Sequence, residues 1–559
     1  LEPHNADGIE GVFISLGDVS SSRKSLQGSA LPWSDIIPDR FETVSGDSIY
    51  DTLPHLFGDF GDDSVPHRAA FWDVCSAVYR ESFLQPVRGF CEQQNWKVIW
   101  AGGDSTPSPP IFDGSTRSSI IAPHPDPLPE GEGTYDDSRQ ISASPSIFGG
   151  EDQPVPPPRS GEVRRGLRFV STISCRTAKS GERSGEIDIG RHSLADPPTP
   201  SDRAWSIQPT YVLRDAIDAA ESGCPFHVAR SALYSLDGYR KHEVDSLQSC
   251  QSPFWNWYTY LTDAMERISW LLQNSKPVRS VLLLDPRRSL FSRYGLSSEP
   301  IDALREEIAG PGVELLDQRS LCARNACLAV FNQTCAELRS RGVSITVMNE
   351  ESLNGAAIEG GKIALPGKDG RFDGLILPGI EIISEDTEKQ IETISENKIP
   401  VLCLSTVPKV IQGDALRPSK PLNALQPETG VASFLDESIE RLRDPLPENA
   451  NRQIEIIQRQ SDWGRLYVLV NRSESDTHLK QAIHLPGQGR FGFLNLIDGK
   501  TSAIDPMQQT QKGIDLQLDF EPGQTRVIVC STEMLDDGSA DSATRHQMVT
   551  RVEIGRAHV

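Results

Sequence analysis

The chain has no cysteine pair at CxxC spacing, no HxxxH, no uninterrupted run near the ~20 apolar residues that cross a bilayer, and no surplus of basic charge. Missing Cys and His pairs leave a structural zinc site without support. Neither GxGxxG nor GxxxxGK followed by Ser or Thr follows the first strand of the parallel unit that begins near Lys276, so nucleotide binding is not supported there. Lys and Arg number 55 against 78 Asp and Glu, a net charge of −23. That balance disfavours nucleic acid and anionic membrane surfaces as partners, because both require a basic face. No signal peptide stands at the start. The chain opens on Leu1 rather than Met, which suggests an absent N-terminus. The last residues, Glu553 to Val559, read as translated adapter sequence.

What is present is ordinary globular material: 559 residues, 37% hydrophobic and 24% charged, enough for two to four domains. Ten cysteines lie scattered, mostly in apolar surroundings such as the strand ending at Cys530, and read as small buried hydrophobes.

Residues 1–60 read as loop-rich with short apolar pieces. From Arg68 to Gln93, Phe71, Val74, Val78 and Tyr79 recur at helical spacing, with Pro86 expected to kink or split the helix. The run from Trp96 to Gly103 reads as a buried strand. Between Asp104 and Gly166 stand twelve prolines amid Ser, Gly and Asp. A segment so poor in apolar residues cannot offset its ordering entropy, so residues 104–166 are expected to be a disordered insert. Leu167 to Cys175 reads as a strand or buried helix start, and Gln208 to Gly223 as a helix. Phe254 to Gln273 reads as a longer helix, with Trp257, Leu261, Ile268 and Leu272 on a core-facing stripe.

From about Lys276 short buried strands (280–286, 312–317, 343–348, 373–379, 399–405) alternate with helices. This predicts a flavodoxin-like parallel α/β domain over 276–410. From about Gln453 the period changes to two, and an antiparallel β-sandwich is expected over 440–533, with a disordered tail over 534–559.

Two segments carry a resemblance. Ala232 to Leu272 contains YSLDGYRK and, after a gap, PFWNWY, then RISWLL. Leu31 to Trp96 contains LPWSDIIPDRFE and AAFWDVCSAVYRESFLQPVRGFCEQQNW. Together with VLLLDP, LYVLVNRS and NLIDGK downstream, they resemble glycoside hydrolase family 106, the α-L-rhamnosidases. The resemblance implies a catalytic (β/α)8 barrel, of which residues 1–275 would hold the later strands. It also implies inverting hydrolysis of α-L-rhamnosides in plant or bacterial polysaccharide, calcium dependence, and a periplasmic or secreted location.

Inverting hydrolysis uses two carboxyl groups about 6.5–9.5 Å apart, one protonating the leaving oxygen and one activating water. The family's pattern of a carboxylate about ten residues past a small-residue helix and ahead of a Trp fits Glu186, with Trp205 downstream and Glu182 as the fallback. A partner carboxylate is expected after the strand ending near Gly103, where Asp104 stands in place of the family's Gly-His and Glu. Further upstream, only Asp18 remains of an Asp-Glu-Pro pattern, and Arg230 replaces a barrel histidine. Tyr234, Arg240 and Lys241 match the hallmark, either lining the sugar site or pinning a strand-to-helix turn. Cys403 ends a strand where an amidotransferase-like domain would keep a nucleophile; it lacks a glycine elbow and reads as inert. The alternative to an active glycosidase is a relative that retains carbohydrate binding without turnover.

Overall fold

The structure is a computed structural model that describes residues 11–15, 33–57, 60–94, 97–101, 209–221, 254–293, 318–365, 370–413, 415–422, 427–428, 430–432, 434, 446–449, 453–472, 479–504 and 512–531. These residues form a mixed α/β arrangement of several sheets. The expected elements at 167–175 and 312–317, the Pro-rich segment and the tail lie outside the described residues.

Gly11–Ser15 (β1) and Lys97–Ala101 (β2) pair in parallel, with Gly11 opposite Lys97 and Ser15 opposite Ala101. Parallel neighbours need a long crossover. Helices Ile36–Ser45 (α1), Ile49–Phe57 (α2), Ser64–Tyr79 (α3) and Gln85–Gln93 (α4) lie between them in sequence. The loop-rich reading of residues 1–60 is corrected by α1 and α2. Pro38 falls in the first turn of α1, where a missing N–H is harmless. Ile37 and Phe41, four residues apart, bury one face, and Gly46 ends the helix at φ +80° with its N–H donating to the Glu42 carbonyl. Phe71 and Val74 of α3 are buried as their spacing predicts. The split expected near Pro86 is a π-turn over Arg80–Leu84, which accommodates the donor that Pro86 lacks.

Pro209–Glu221 (α5) and Tyr258–Gln273 (α6) follow. A parallel sheet is then assembled from Ser280–Leu284 (β3), Ser344–Met348 (β4), Leu375–Pro378 (β5) and Val401–Leu404 (β6), in the spatial order β6-β5-β3-β4. The remaining elements of this layer are Arg287–Ser292 (α7), Gln318–Ser340 (α8), Glu350–Asn354 (α9) and Glu385–Glu396 (α10). Every residue of β3 and β5 is buried, because helices cover both faces. The pleat divides them: Leu282, Leu284, Leu375 and Leu377 join Ile391 and Ile394 of α10. Val281, Leu283 and Ile376 join Phe331 and Leu338 of α8. Gly379 allows β5 to end against α8, for at φ +65° a Cβ there would lie 3.2 Å from Cys327 Cα.

Beside this layer, Lys409–Gln412 (β7) and Ala415–Pro418 (β8) form a hairpin that also pairs with Ile382–Ile383. Glu388 of α10 holds it in place. Its carboxylate accepts both Arg417 terminal nitrogens, at 3.1 and 2.7 Å, and the Lys420 N–H at 2.7 Å. These bonds, led by Arg417, hold the Glu388 pKa below its ordinary value of 4.5 against the opposing effect of burial.

The C-terminal sandwich is present as the period-two pattern predicts. Ile454–Ser461 (β9), Gly464–Asn471 (β10), Arg490–Leu494 (β12), Thr501–Ala503 (β13) and Thr525–Ser531 (β15) build one sheet, with Lys276–Pro277 at its edge; Leu479–Pro486 (β11) and Gly513–Phe520 (β14) belong to the other. Ile456, Tyr467, Leu469, Leu485, Leu516 and Ile528 fill the space between them. The turn from β9 to β10 requires Gly464, whose φ is +144° and whose added Cβ would collide with the Cys530 carbonyl. The larger sheet buries its outer face as well. Leu466, Val468, Val470 and Val527 pack on Ile217 and Ala220 of α5 and Ala264, Ile268 and Leu272 of α6.

Charge locks this junction. Arg472 donates to Asp218 of α5 through both terminal nitrogens, and its Nε donates to Glu455 of β9 at 2.5 Å. Glu455 also pairs with Arg339 of α8 at 3.2 Å. Burial opposes the charge on Arg472, but the two carboxylates outweigh it and its pKa is raised.

Two expectations follow. Arg472→Met should destabilise the chain by about 3–5 kcal/mol in chemical denaturation, because it strands buried carboxylates. Arg472→Lys should recover only part, since one ammonium cannot span two carboxylates as a guanidinium fork does. The Glu388 contribution is complete above pH 4.5 and is lost as pH falls through its depressed folded pKa. Glu388→Gln should therefore lower Tm at neutral pH and flatten the fall of Tm below pH 4.5; parallel curves would contradict this.

Candidate functional site

All of the residues expected at the reacting centre, Glu186, Glu182, Asp104, Tyr234, Arg230, Arg240, Lys241 and Trp205, lie outside the described residues, as does Asp18. The described strands still constrain where the chain enters those segments. Ser15 and Ala101 are the last residues of β1 and β2 and sit opposite each other. Asp18 and Asp104 stand three residues beyond them in sequence. In parallel β/α architectures the C-terminal strand ends carry the chemistry, because the loops that leave them converge on one face.

The parallel sheet β6-β5-β3-β4 has its own switch point between β3 and β5, where a doubly wound fold would bind a ligand. Here the chain fills it. Asp285, at the end of β3, is 5% exposed and accepts the Arg287 N–H at 2.9 Å and the Arg287 Nε at 2.5 Å. Ser289 of α7 accepts the Glu381 N–H at 3.0 Å. Glu381 pairs with Arg293, which reaches Asp62, and Asp62 also pairs with Lys409. Over this edge, Leu290 and Phe291 of α7 pack into the α1–α3 cluster with Phe41 and Trp72. The arrangement fastens the N-terminal helices to the sheet and leaves its polar groups engaged with one another.

A second carboxylate pair is engaged in the same way. Arg288 donates to Asp73 at 2.6 Å and to Glu350 at 3.0 Å. The same Glu350 oxygen accepts the Ser384 N–H and the Thr387 hydroxyl, at 2.9 and 2.8 Å. A carboxylate with three donors tied to α7 and the start of α10 is a structural clasp.

Cys403 lies within β6, 2% exposed, and burial pushes its thiol up to about 12. A thiol so protonated is a poor nucleophile near neutrality, in keeping with the inert reading. Cys75, Cys91, Cys327 and Cys530 are likewise buried and in no disulfide. Among the described residues, no group of three or more His, Cys, Asp and Glu comes together as a metal-binding set. No described helix is long and apolar enough to cross a membrane.

The helix that closes the hallmark segment, α6, departs from its core-facing reading at one end. Leu261, Ile268 and Leu272 of α6 are buried as expected, but Trp257 is 62% exposed. The stripe breaks because residues 255–257 form a 3-10 turn before the α-helix begins at Tyr258, which changes the angular spacing. Trp255 and Tyr260 are also exposed, at 42% and 46%. Trp255 stacks on Tyr258 with centroids 5.8 Å apart and planes 23° from parallel; Trp257 lies 6.0 Å from Tyr260 at 31°. Neighbouring Asn256 and Thr259 are exposed. Arg267, two turns further along, fixes the helix by donating to the Leu496 and Ile497 carbonyls at 2.6 and 2.5 Å. Of these rings only Trp257 falls on the expected core-facing stripe, and the 3-10 turn at 255–257 moves it off that stripe.

No family model and no curated protein matches the chain. Among solved structures it is similar to a rhamnosidase from Novosphingobium sp. PP1Y, with 11% identity and a TM-score of 0.49 over 90% of this chain and 44% of that one. It is also similar to a GH42 β-galactosidase from G. stearothermophilus, at 10% identity and a TM-score of 0.47, covering 89% of this chain and 75% of that one. A third is the β-galactosidase from Rahnella sp. R3, at 10% identity and 0.48, covering 90% and 77%. The chain thus spans less than half the length of the rhamnosidase it matches.

Proposed function

We propose that the chain is a glycoside hydrolase of the inverting α-L-rhamnosidase type, with its reacting centre in a barrel-like domain within residues 1–275. The observation that supports the reading is the in-register parallel end of β2 beside β1, because the C-terminal ends of parallel strands carry the chemistry in β/α architectures and Asp104 follows β2 by three residues. The hallmark resemblance over Ala232 to Leu272 supplies the substrate class. Glu186 acts as the acid that protonates the leaving oxygen, and Asp104 as the base that takes a proton from the attacking water; Glu182 is the alternative acid. Tyr234 and the cationic Arg230, Arg240 and Lys241 hold sugar hydroxyls, and Trp205 covers an apolar sugar face. Two carboxyl groups suffice for inversion without a covalent intermediate, since water attacks from the face opposite the leaving group.

A second reading, carbohydrate binding without turnover, draws on the exposed rings at the start of α6 and on the replacement of the family's histidine and glutamate around Asp104.

Incubation of the whole chain with p-nitrophenyl α-L-rhamnopyranoside should release nitrophenol, with β-rhamnose as the first anomer seen by NMR. Glu186→Gln and Asp104→Asn should each lower the rate by about 10²–10⁴. Turnover unchanged by Glu186→Gln removes that residue from the mechanism. Absence of turnover in the parent chain favours the second reading.

A further inference from the structure

We propose that the N-terminal end of α6 is a stacking platform for a neutral polysaccharide chain. The proposal deepens the carbohydrate reading above and rests on it for the ligand class, but its test does not depend on turnover.

Three observations select this occupant. The first is the residue mix. Every aliphatic residue of α6 in the junction with the sandwich faces inward, and the exposed end carries rings interleaved with hydrogen-bonding side chains: Trp255, Asn256, Trp257, Thr259 and Tyr260. A helix that docks into a protein groove offers an aliphatic stripe at i, i+3, i+4 and i+7 instead. Sugar faces suit this mix, because their C–H bonds are polarised by neighbouring oxygens and lie favourably over the negative face of a π-system, while their hydroxyls need donors and acceptors at the rim.

The second is size. An aromatic side chain buries about 150–250 Å² when fully covered, so three rings half exposed offer roughly 200–400 Å². A stable protein–protein contact needs about 800 Å² a side. The platform matches a few sugar units.

The third is charge. Aromatic platforms that stack nucleobases lie in basic grooves. Here Arg267, the cation of this helix, is engaged with backbone carbonyls and lies 3.9 Å from Asp263. With a net charge of −23 on the chain, polyanions are repelled and a neutral glycan is not.

The pairing of the rings adds function to the surface. Trp255 on Tyr258 and Trp257 on Tyr260 repeat at nearly the same centroid spacing and tilt, and because residues two apart point to different sides of a helix, the end of α6 carries a ring pair on each of two sides.

Affinity electrophoresis of the whole chain through gels containing a neutral α-L-rhamnan, galactomannan or xyloglucan tests this. Retention by at least one polymer is expected, with tryptophan fluorescence changing on titration. Trp257→Ala and Trp255→Ala should each weaken retention by roughly tenfold or more, and the double variant should abolish it. The variants should keep the far-UV spectrum and Tm of the parent, because these rings are exposed, and should hydrolyse p-nitrophenyl α-L-rhamnopyranoside at the parent rate if the parent does so. Retention unchanged in the double variant overturns the proposal, as does failure of the parent to be retained by any of the three polymers. Trp257-dependent self-association in sedimentation, without retention, assigns the patch to a protein contact and overturns it too. Retention without turnover sinks the hydrolase reading and leaves the platform standing.

Discussion

The described parts of this chain are held in one arrangement by a buried guanidinium. Arg472 leaves the end of β10, reaches Asp218 on α5 and Glu455 on β9, and through Glu455 meets Arg339 on α8. Three segments far apart in sequence therefore share one charge network. Apolar burial alone would let α5 and α6 slide over the flat outer face of the sandwich, because hydrophobic contact is non-directional. The fork of Arg472 fixes both distance and orientation. Hydrophobic packing supplies the bulk of the stability and the ion network supplies the register.

Much of the scaffold was legible because its strands are extreme in composition. The segments at 281–284, 375–378 and 401–404 are apolar throughout, as a sheet covered on both faces requires. The period-two strands β11 and β14 were equally plain, since one of their faces meets water. By contrast, β9 and β10 are buried on both faces over most of their length. Their second face meets α5 and α6, a partnership that no local pattern announces.

What was not legible had local physical causes. Helices α1 and α2 stand where residues 1–60 read as loop-rich; Pro38 sits in a first turn and Pro54 inside a nine-residue helix, and proline weakens the helical signal of both segments. The aromatic end of α6 was hidden by the 3-10 turn at 255–257, which rotates Trp257 off the stripe defined by Leu261 and Leu272. The candidate reacting residues Glu186, Asp104 and Tyr234 were named from a resemblance, and their segments lie outside the described residues. The register of β1 against β2 bears on them only through the strand ends they follow.

The grip of Arg267 on the Leu496 and Ile497 carbonyls has a thermodynamic corollary for the rings at the other end of α6. A helix clamped by a guanidinium at its middle and packed along its aliphatic face has surrendered its freedom during folding. Anything that settles on Trp255 and Trp257 meets a surface whose backbone is already ordered, so little further entropy is lost on association and weak dispersion contacts can register as measurable affinity.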